Sequence, residues 1–295
     1  MTVHVRRVGA EAASDVHQVV TAAFAARPTL DPPADALAET EASIAAELAA
    51  HHGLLAVLEG RPVGAMLFRP RGDTMLLRRF GVVPDAQGHG VASALVAGAV
   101  DRTLGYGSLA VLAREELPAT IAFWEQHGFA ATSRTSPYVE LKRDLATSWE
   151  AADADEMRVL GERLGASVAA GDVVVLTGEL GAGKTTLTQG IGRGLGVRGD
   201  VTSPTFVIAR VHPSLVGGPD LVHVDAYRLG GIAELDDLDL DTSLEQAVTV
   251  VEWGAGLVEG LTDSRLEVTI SRAIGAGVSD DALDPRVVRA CRVGA

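Results

Sequence analysis

The first half of the chain alternates strand-like and helix-like stretches. Short apolar runs occur at 3–8, 54–58, 63–68 and 75–83, and each predicts a strand. Helical spacing covers residues 11–24 and, after a proline-rich break, extends again to residue 50. A glycine-bearing turn follows residue 83, and the remaining predicted elements are helix, strand, helix and strand at 91–103, 109–113, 121–127 and 139–141. This order predicts a mixed sheet that begins as an antiparallel meander.

The second half predicts a largely parallel sheet with helices. A helix extending to about residue 169 is followed by Asp172-Val173-Val174-Val175-Leu176, a β-branched run bounded by glycines, as expected of a buried parallel strand. A glycine loop and a second helix come next, which makes a βαβ unit. Further strand-like runs lie at 206–211, 221–224, 248–251 and 266–270.

The expected class is therefore α/β with two domains, at 1–145 and 146–295. A length of 295 residues favours two cores over one, because domains commonly have about 100–200 residues. Residues 146–155, rich in Ala, Asp, Glu and Ser, predict a linker into a helix with a capping box formed by Asp153 and Glu156.

The amino-acid composition is typical of a globular protein without membrane spans or disulfides. Hydrophobic residues make up 47% and charged residues 22%, which is typical of soluble globular proteins. No stretch approaches the ~20 uncharged residues that a membrane span needs, so we expect a cytoplasmic protein without a membrane partner. Cys291 is the single cysteine, which excludes an internal disulfide and a thiolate metal cluster.

Charge argues against direct binding of nucleic acid. The formal net charge is −14, and most of it belongs to the second half. Nucleic-acid binding relies on Lys and Arg to neutralise phosphates, so an acidic domain is a poor candidate for this role by itself. Any role with RNA is expected to depend on a protein partner.

A phosphate-binding loop stands between the parallel strand and the helix after it. Residues Gly178–Thr185 read GELGAGKT and fit the pattern G-x-x-x-x-G-K-[ST] in full. In such a loop the glycines let backbone N–H groups converge on phosphates, the lysine neutralises β and γ oxygens, and the hydroxyl binds Mg²⁺. Lys184 and Thr185 are the candidates for these two roles.

Two carboxylates end neighbouring apolar strands. Asp225 follows the strand at 221–224 and Glu252 follows the strand at 248–251. Because ligands of open α/β sheets gather at the carboxyl ends of strands, we expect both acids to converge with Lys184. The pattern G-x-G-x-x-G at 194–199 follows a helix instead of a strand, so it predicts the end of that helix and not a dinucleotide site.

Four blocks together resemble the TsaE family, P-loop ATPases that support threonylcarbamoyladenosine modification of tRNA. They are GELGAGKTT at Gly178–Thr186, SPTF at Ser203–Phe206, HVDAYRL at His223–Leu229 and VEWG at Val251–Gly254. The resemblance implies ATP and Mg²⁺ as ligands and protein partners homologous to TsaD and TsaB, with tRNA reached only through that complex.

The same resemblance implies the roles of individual residues. Lys184, Asp225 and Glu252 form the implied catalytic set, and Thr185 and Glu252 are the implied magnesium ligands. Ser203 and Thr205 belong to an implied switch segment at 203–206, in which Thr205 is the candidate sensor of the γ-phosphate. The implied nucleotide-binding residues are Leu180, Gly181, Ala182, Gly183, Lys184, Thr185, Thr186, Asp225 and Arg286. Arg272 is a rival for the position of Arg286, and residues 153–157 are the implied neighbours of the adenine.

Other polar and aromatic residues near these blocks have simpler interpretations. Tyr227 is predicted to pack in the core, whereas Trp253 fits either a core or a ligand-facing position. His223 is predicted to be a packed strand residue without a transition metal.

A second anion-binding pattern lies in the first half. Gln87-Gly88-His89-Gly90-Val91-Ala92 follows a strand and resembles motif A of the GNAT acetyltransferases, and residues 123–129 resemble that family's aromatic segment. Backbone amides at the start of a helix would hold the pyrophosphate of acetyl-coenzyme A. The implied coenzyme-binding residues are Val82, Val83, Gln87, Gly88, His89, Gly90, Val91 and Ala92.

Two departures from the GNAT pattern leave catalysis open. Trp124 occupies the place of a tyrosine general acid, and an indole N–H cannot supply that proton. Arg78-Arg79 occupies the usual place of an acidic base. Glu125, His127 and water are the alternative acid–base groups, although Glu125 and His127 are more simply interpreted as surface residues of a short helix. The first half is expected to bind acetyl-coenzyme A, with an inactive interaction module as the alternative. For the second half, a small-molecule kinase is the alternative to an ATPase.

Overall fold

The structure is a computed structural model, and it describes residues 2–204, 208–228, 246–256, 258, 262, 264–272 and 285–294. The chain divides into two compact units. The first comprises Met1–Val100 and Ser108–Leu145, and the second comprises Asp101–Gly107 and Ala146–Ala295. Each unit carries a seven-stranded sheet with helices, and the predicted α/β class is confirmed.

The first unit is a mixed sheet in the order β1-β2-β3-β4-β5-β7-β6. Its strands are β1 Val3–Val8, β2 Gly53–Leu58, β3 Arg61–Arg71, β4 Thr74–Val82, β5 Ser108–Arg114, β6 Ala130–Thr135 and β7 Tyr138–Asp144. All neighbours are antiparallel except β4 and β5. The β4–β5 ladder ends at the pair Leu77 and Val111, although both strands continue beyond it. The sheet therefore opens between these strands.

Four helices cover the first sheet. They are α1 Ala13–Ala25, α2 Glu41–His51, α3 Val91–Asp101 and α4 Pro118–Gln126. The apolar stripe of α1, which includes Val16 and Val20, packs on Leu55 and Leu67 of the sheet. Thr40 caps α2 by accepting from the Ser43 N–H, and the Ser43 hydroxyl completes the capping box by accepting from the Thr40 N–H.

The second unit orders its strands β10-β11-β12-β9-β13-β14-β8. These are β8 Ser148–Ala151, β9 Val173–Thr177, β10 Ala209–His212, β11 Asp220–Asp225, β12 Ala247–Glu252, β13 Arg265–Arg272 and β14 Arg286–Val293. The four central strands, β11, β12, β9 and β13, are parallel, whereas the outer pairings are antiparallel. The helices are α5 Ala154–Ser167 and α6 Lys184–Leu195.

The expected linker contains a strand. Residues 148–151 form β8, which pairs with β14, so this part of the prediction was wrong. Asp153 does cap α5, because its carboxylate accepts from the N–H groups of Asp155 and Glu156. The Glu156 carboxylate, however, accepts from the N–H of Ala152 and not from that of Asp153, so the motif is not a strict capping box.

Glycines let α5 lie very close to α6, the helix that follows the phosphate loop. A Cβ placed at Gly161 would lie 2.3 Å from the Leu187 carbonyl oxygen, and one at Gly190 would lie 2.2 Å from the Arg158 carbonyl oxygen. Both distances are too short for any side chain. The pair of helices is thus set backbone against backbone, while Leu187 and Ile191 of α6 point into the core.

Candidate functional site

The loop at 178–183 links the carboxyl end of β9 to α6. Gly181 and Gly183 adopt left-handed φ angles of +76° and +106°, which other residues rarely adopt. A Cβ at Gly181 would meet no atom within 4 Å, so this part of the loop backbone is open to a ligand. The first helical bond runs from the Leu187 N–H to the Gly183 carbonyl. The N–H groups at the start of α6 therefore face the loop, as an anion site requires.

Lys184 is buried under the loop. Its Nζ donates to the carbonyl oxygens of Gly178 at 2.8 Å and Glu179 at 3.0 Å, and lies 3.7 Å from the centre of the Trp253 ring. Burial lowers the pKa of Lys184 below its ordinary value, and the negative charges of Glu252 and Asp225 oppose this shift. A phosphate would supply stronger acceptors for this ammonium.

The two predicted acids end adjacent parallel strands. Asp225 of β11 and Glu252 of β12 are register partners, and both side chains are buried. The Thr185 hydroxyl lies 2.9 Å from Glu252 Oε1 and 3.2 Å from Oε2. A hydroxyl beside a carboxylate is an oxygen ligand set of the kind that Mg²⁺ prefers.

One cavity brings these groups together. It has a volume of about 380 Å³, and the groups that the sequence predicted from separate motifs share its wall. The lining residues are Leu180, Gly181, Gly183, Lys184, Thr185, Thr186, Ser203, Asp225, Tyr227, Glu252 and Trp253. The cavity combines backbone amides, one ammonium and two carboxylates, which is the composition needed to hold a phosphate chain with its cation.

Asp225 connects the cavity to the segment after α6. The Ser203 hydroxyl donates to its Oδ2 at 3.3 Å, and the Tyr227 N–H donates to Oδ1 at 3.1 Å. Thr205, the other predicted switch residue, lies outside the described residues. Tyr227 is 62% exposed and stands 5.2 Å from the Trp253 ring, so the prediction of a core tyrosine was wrong. Both aromatics border the cavity.

A second cavity of about 310 Å³ lies on the other side of the loop. It is lined by Ala151, Ala152, Asp153, Ala154, Met157, Gly181, Ala182, Gly183, Thr186 and Arg286. Arg286 is the first residue of β14, and its register partner on β13 is the rival candidate Arg272. Arg286 lines this cavity and Arg272 does not. The segment at 153–157 also borders it, which is where the adenine was expected.

His223 is a contact that the sequence did not reveal. Its Nε2 lies 2.9 Å from Glu252 Oε1 inside the sheet. His223 and Asp225 are two residues apart on β11 and hence share a face. This spacing was the only available signal, and it does not indicate which acid the imidazole meets.

The first unit contains the second predicted site. A short 3₁₀ turn at Pro84–Ala86 follows β4, and the turn at 87–90 leads into α3. Gly88 and Gly90 have φ angles of +80° and +78°, and a Cβ at either position would meet no atom within 4 Å. His89 Nδ1 lies 3.0 Å from the Gln87 carbonyl oxygen. The turn thus presents open backbone at a helix N-terminus.

One cavity adjoins this turn, and it shares part of its wall with a second cavity deeper in the unit. The larger, of about 400 Å³, includes Val82, Gln87 and Ala92 among its lining residues. The smaller, of about 260 Å³, lies where β4 and β5 separate. The residues common to both are Arg27, Phe80, Leu117 and Thr120. The geometry therefore joins the predicted coenzyme turn to an inner pocket.

The two departures from the GNAT pattern have structural explanations. Trp124 is buried in an aromatic cluster, with ring centres 4.8 Å from Phe80 and 4.9 Å from Phe129, so it is a core residue. Arg79 donates to Glu39 at 2.7 Å, and Arg78 donates to Glu47 at 2.6 Å. These arginines are paired, and they occupy the part of β4 where a base was expected.

His127 is not a simple surface residue. Its Nε2 lies 2.9 Å from the Ser93 hydroxyl of α3, and its Nδ1 lies 2.8 Å from the Phe123 carbonyl oxygen. Two ring contacts hold this partly exposed imidazole between α3 and α4, so His127 is a surface residue with a fixed orientation.

Among the described residues, no helix is both long enough and apolar enough to cross a bilayer.

Comparison with known proteins matches each unit to a different family. The family model "Threonylcarbamoyl adenosine biosynthesis protein TsaE" matches residues 151–276, and the model "Acetyltransferase (GNAT) family" matches residues 17–129. The TsaE protein of Streptomyces coelicolor is 69% identical over 120 residues, which cover 40% of this chain and 81% of that protein. The TsaE protein of Mycobacterium tuberculosis is 54% identical over 125 residues, covering 40% and 74% respectively.

Among solved structures, the PaiA N-acetyltransferase of Thermoplasma acidophilum in complex with coenzyme A is 12% identical, with a TM-score of 0.44. That match covers 49% of this chain and 99% of the other. The family assignment depends instead on the TsaE sequence relatives and on the two family models. Residues 17–129 match the GNAT acetyltransferase family model, and through its second unit the chain belongs to the TsaE family.

Proposed function

We propose that the second unit binds ATP with Mg²⁺ and hydrolyses it in support of threonylcarbamoyladenosine formation on tRNA. The observation that carries this proposal is the meeting of Lys184, Thr185, Asp225 and Glu252 around one cavity. Family membership and the printed function of the relatives support the tRNA assignment.

Each residue has a role that follows from its position. The loop amides and Lys184 bind the phosphate oxygens, and Thr185 with Glu252 holds the magnesium ion. Bound Mg²⁺ neutralises charge that develops on the phosphates. Asp225, oriented by Ser203 and by the Tyr227 N–H, positions the attacking water. Arg286 and the 153–157 segment bind the nucleoside end in the neighbouring cavity.

Partners follow from the family and from charge. We infer that the chain acts in the cytoplasm with homologues of TsaD and TsaB, and that tRNA is bound by the complex. The net charge of −14 supports the assignment of tRNA binding to the complex, because a protein with an excess of acidic residues is repelled by a phosphate backbone. The small-molecule kinase alternative is not favoured, since the sequence relatives are TsaE proteins.

Phosphate release tests the enzymatic part of the proposal. The full chain with Mg²⁺-ATP should release phosphate slowly alone and faster once TsaB and TsaD homologues are added. Lys184→Ala should abolish the stimulation, because it removes the ammonium that binds the phosphates. Transfer of phosphate to a metabolite, or a rate that ignores the partners, would contradict the proposal.

For the first unit we propose binding of acetyl-coenzyme A at the turn 87–92. The support is open backbone at the N-terminus of α3, next to a cavity that reaches the inner pocket. Calorimetry should show heat on titration with acetyl-coenzyme A. Gly90→Ala should abolish that heat because its methyl group fills the approach to the backbone. Gly72→Ala is the matched control, since Gly72 also has a positive φ but lies in a hairpin turn.

An acetylation assay separates an enzyme from an inactive module. Trp124 is a core residue and cannot supply a proton, so any transfer reaction needs another general acid. Acetylation of protein N-termini or polyamines would identify an enzyme. Titration heat without acetylation would assign a binding module, and no heat at all would contradict the coenzyme proposal.

A further inference from the structure

His223 is a buried polar residue behind the proposed magnesium ligand. It lies in the middle of β11, its side chain is 0% exposed, and its Nε2 is 2.9 Å from Glu252 Oε1. No ligand in the cavity could touch an imidazole that is covered in this way. Any role of His223 in nucleotide binding must therefore pass through Glu252.

The hydrogen-bonding pattern assigns a direction to this contact. His223 Nδ1 has no hydrogen-bond partner within the described part of the chain. A buried N–H without an acceptor is costlier than a buried lone pair without a donor. The neutral tautomer with its proton on Nε2 avoids the orphaned N–H, and it places a donor directly on Oε1. His223 thus donates and Glu252 accepts.

The two carboxylate oxygens of Glu252 are consequently not equivalent. Oε1 faces donors at 2.9 Å from both His223 and Thr185, while Oε2 faces only the longer 3.2 Å contact from Thr185 within the described residues. Fixing Oε1 limits rotation of the carboxylate about its terminal torsion, which is otherwise broad. Oε2 is left as the oxygen with free lone pairs.

We propose that His223 is a positioning residue that holds Glu252 by Oε1 so that Oε2 is presented to magnesium. This inference rests on the proposed function, because it needs a Mg²⁺-nucleotide site at Glu252. Partners that orient a ligand in this way commonly change metal affinity about 10–100-fold when they are removed. A positioning role differs from a packing role because its loss should weaken only the binding of Mg²⁺ and leave the metal-free binding of nucleotide unchanged.

The test measures nucleotide affinity of the full chain by calorimetry across a magnesium titration, and again in EDTA. His223→Leu and His223→Asn should both need about 10–100-fold more Mg²⁺ to reach full ADP affinity. Affinity in EDTA should stay as in the wild type. Asn is polar but too short to reach Oε1, so it separates the lost contact from lost polarity.

His223→Gln is the conservative rescue, because its amide N–H can take the position of Nε2. It should restore the wild-type magnesium requirement to within about threefold. His212→Leu is the matched control. His212 is also buried and lies on the neighbouring strand β10, and its Nε2 has no partner in the described residues. This control should leave the magnesium requirement unchanged.

The outcomes distinguish a failure of the His223 proposal from a failure of the proposed nucleotide-binding function on which it rests. Wild-type protein that binds no nucleotide, with or without Mg²⁺, would overturn the proposed function. Wild-type protein with Mg²⁺-dependent binding that His223→Asn leaves intact would overturn only the positioning role. Equal losses in Mg²⁺ and in EDTA would also overturn it, since they indicate a structural defect. If His223→Leu does not fold, comparison of His223→Asn with His223→Gln tests the positioning role.

Discussion

At the scale of single residues, the polar groups of the proposed phosphate site form hydrogen bonds within the protein, and a bound ligand would replace these contacts. Lys184 bonds two loop carbonyls and lies over the Trp253 ring, so its charge is satisfied without any phosphate. Thr185 bonds Glu252 in the same way. These contacts explain how an ammonium and a buried acid can coexist beside a cavity.

Thr185→Val tests the hydroxyl. Valine keeps the shape of threonine but cannot bind Mg²⁺ or donate to Glu252, so Mg²⁺-dependent ATP affinity should fall about 10–100-fold. Calorimetry with ATP in the presence of Mg²⁺ measures this affinity. Thr188→Val is the control, because Thr188 Oγ1 lies in the same helix but donates to the Lys184 carbonyl at 2.9 Å. Equal losses in the two variants would show that the helix, and not the hydroxyl at 185, is responsible.

His212 predicts a pH dependence of stability. Burial lowers the pKa of His212 below its ordinary 6.5, and the positive charge of Arg210 lowers it further. Between the two pKa values the unfolded chain binds a proton that the folded chain does not. Stability from this residue is therefore fully present above about pH 6.5 and is lost as the pH falls from there through the lowered pKa of the folded state.

Thermal unfolding between pH 7.5 and 5.5 measures this effect. Wild-type protein should lose more stability on acidification than His212→Gln, which has no proton to gain. A variant with the same pH slope as the wild type would contradict the assignment, because the slope counts the difference in bound protons.

At residue scale the sequence predicted the cluster but not its surroundings. The loop pattern and the two strand-ending acids are local features, and parallel strands bring their ends together. Tyr227 could not be placed in this way, because its exposure depends on the 3₁₀ turn Ala226–Arg228 after β11. Trp253 has a left-handed φ of +62°, which its sequence neighbours do not signal.

At the scale of elements, the packing of α5 on α6 fixes where the phosphate loop ends. Gly161 and Gly190 meet the carbonyl backbone of the opposite helix, so neither position has room for a side chain. Gly190→Ala should lower the free energy of unfolding by about 1–3 kcal/mol through overpacking, despite the better helix propensity of alanine. Denaturant unfolding followed by circular dichroism measures it.

Gly192→Ala is the matched control for helix propensity. The three atoms nearest to its Cβ would be side-chain methyl groups of Val201, Val197 and Leu221, at 2.7, 3.2 and 3.4 Å, and side chains can move aside. The loss should be smaller than for Gly190→Ala. Equal losses would show that close backbone contact between the helices is not the cause.

Element prediction worked where burial gives a pattern. Strands β9, β11 and β12 are mostly apolar and almost wholly buried, as is typical of central parallel strands, and each was expected. Strand β6 is exposed along its whole length, so it has no alternation to detect. Strand β8 has four residues and exists by pairing with β14, which lies about 140 residues later. The local sequence of β8 therefore cannot predict its pairing with β14.

At the scale of the whole molecule, two families share one chain. A segment at 17–129 that matches the GNAT family model precedes the TsaE segment at 151–276, and each compact unit carries a glycine-bearing loop that we propose binds an anion. The two loops use the same device, glycines with positive φ before a helix N-terminus. The ligands that we propose for them differ because of the nearby side chains: the cavity at the second loop adds a lysine and two acids.

The central claim is that the phosphate site of the second unit supports tRNA modification. Complementation tests it most directly: the intact chain is supplied to cells that lack their own TsaE, and threonylcarbamoyladenosine in tRNA is measured by mass spectrometry. The intact chain should restore the modified adenosine, and Lys184→Ala, expressed at the same level, should not. Restoration by Lys184→Ala, or failure of the well-expressed intact chain to restore the modification, would contradict the account.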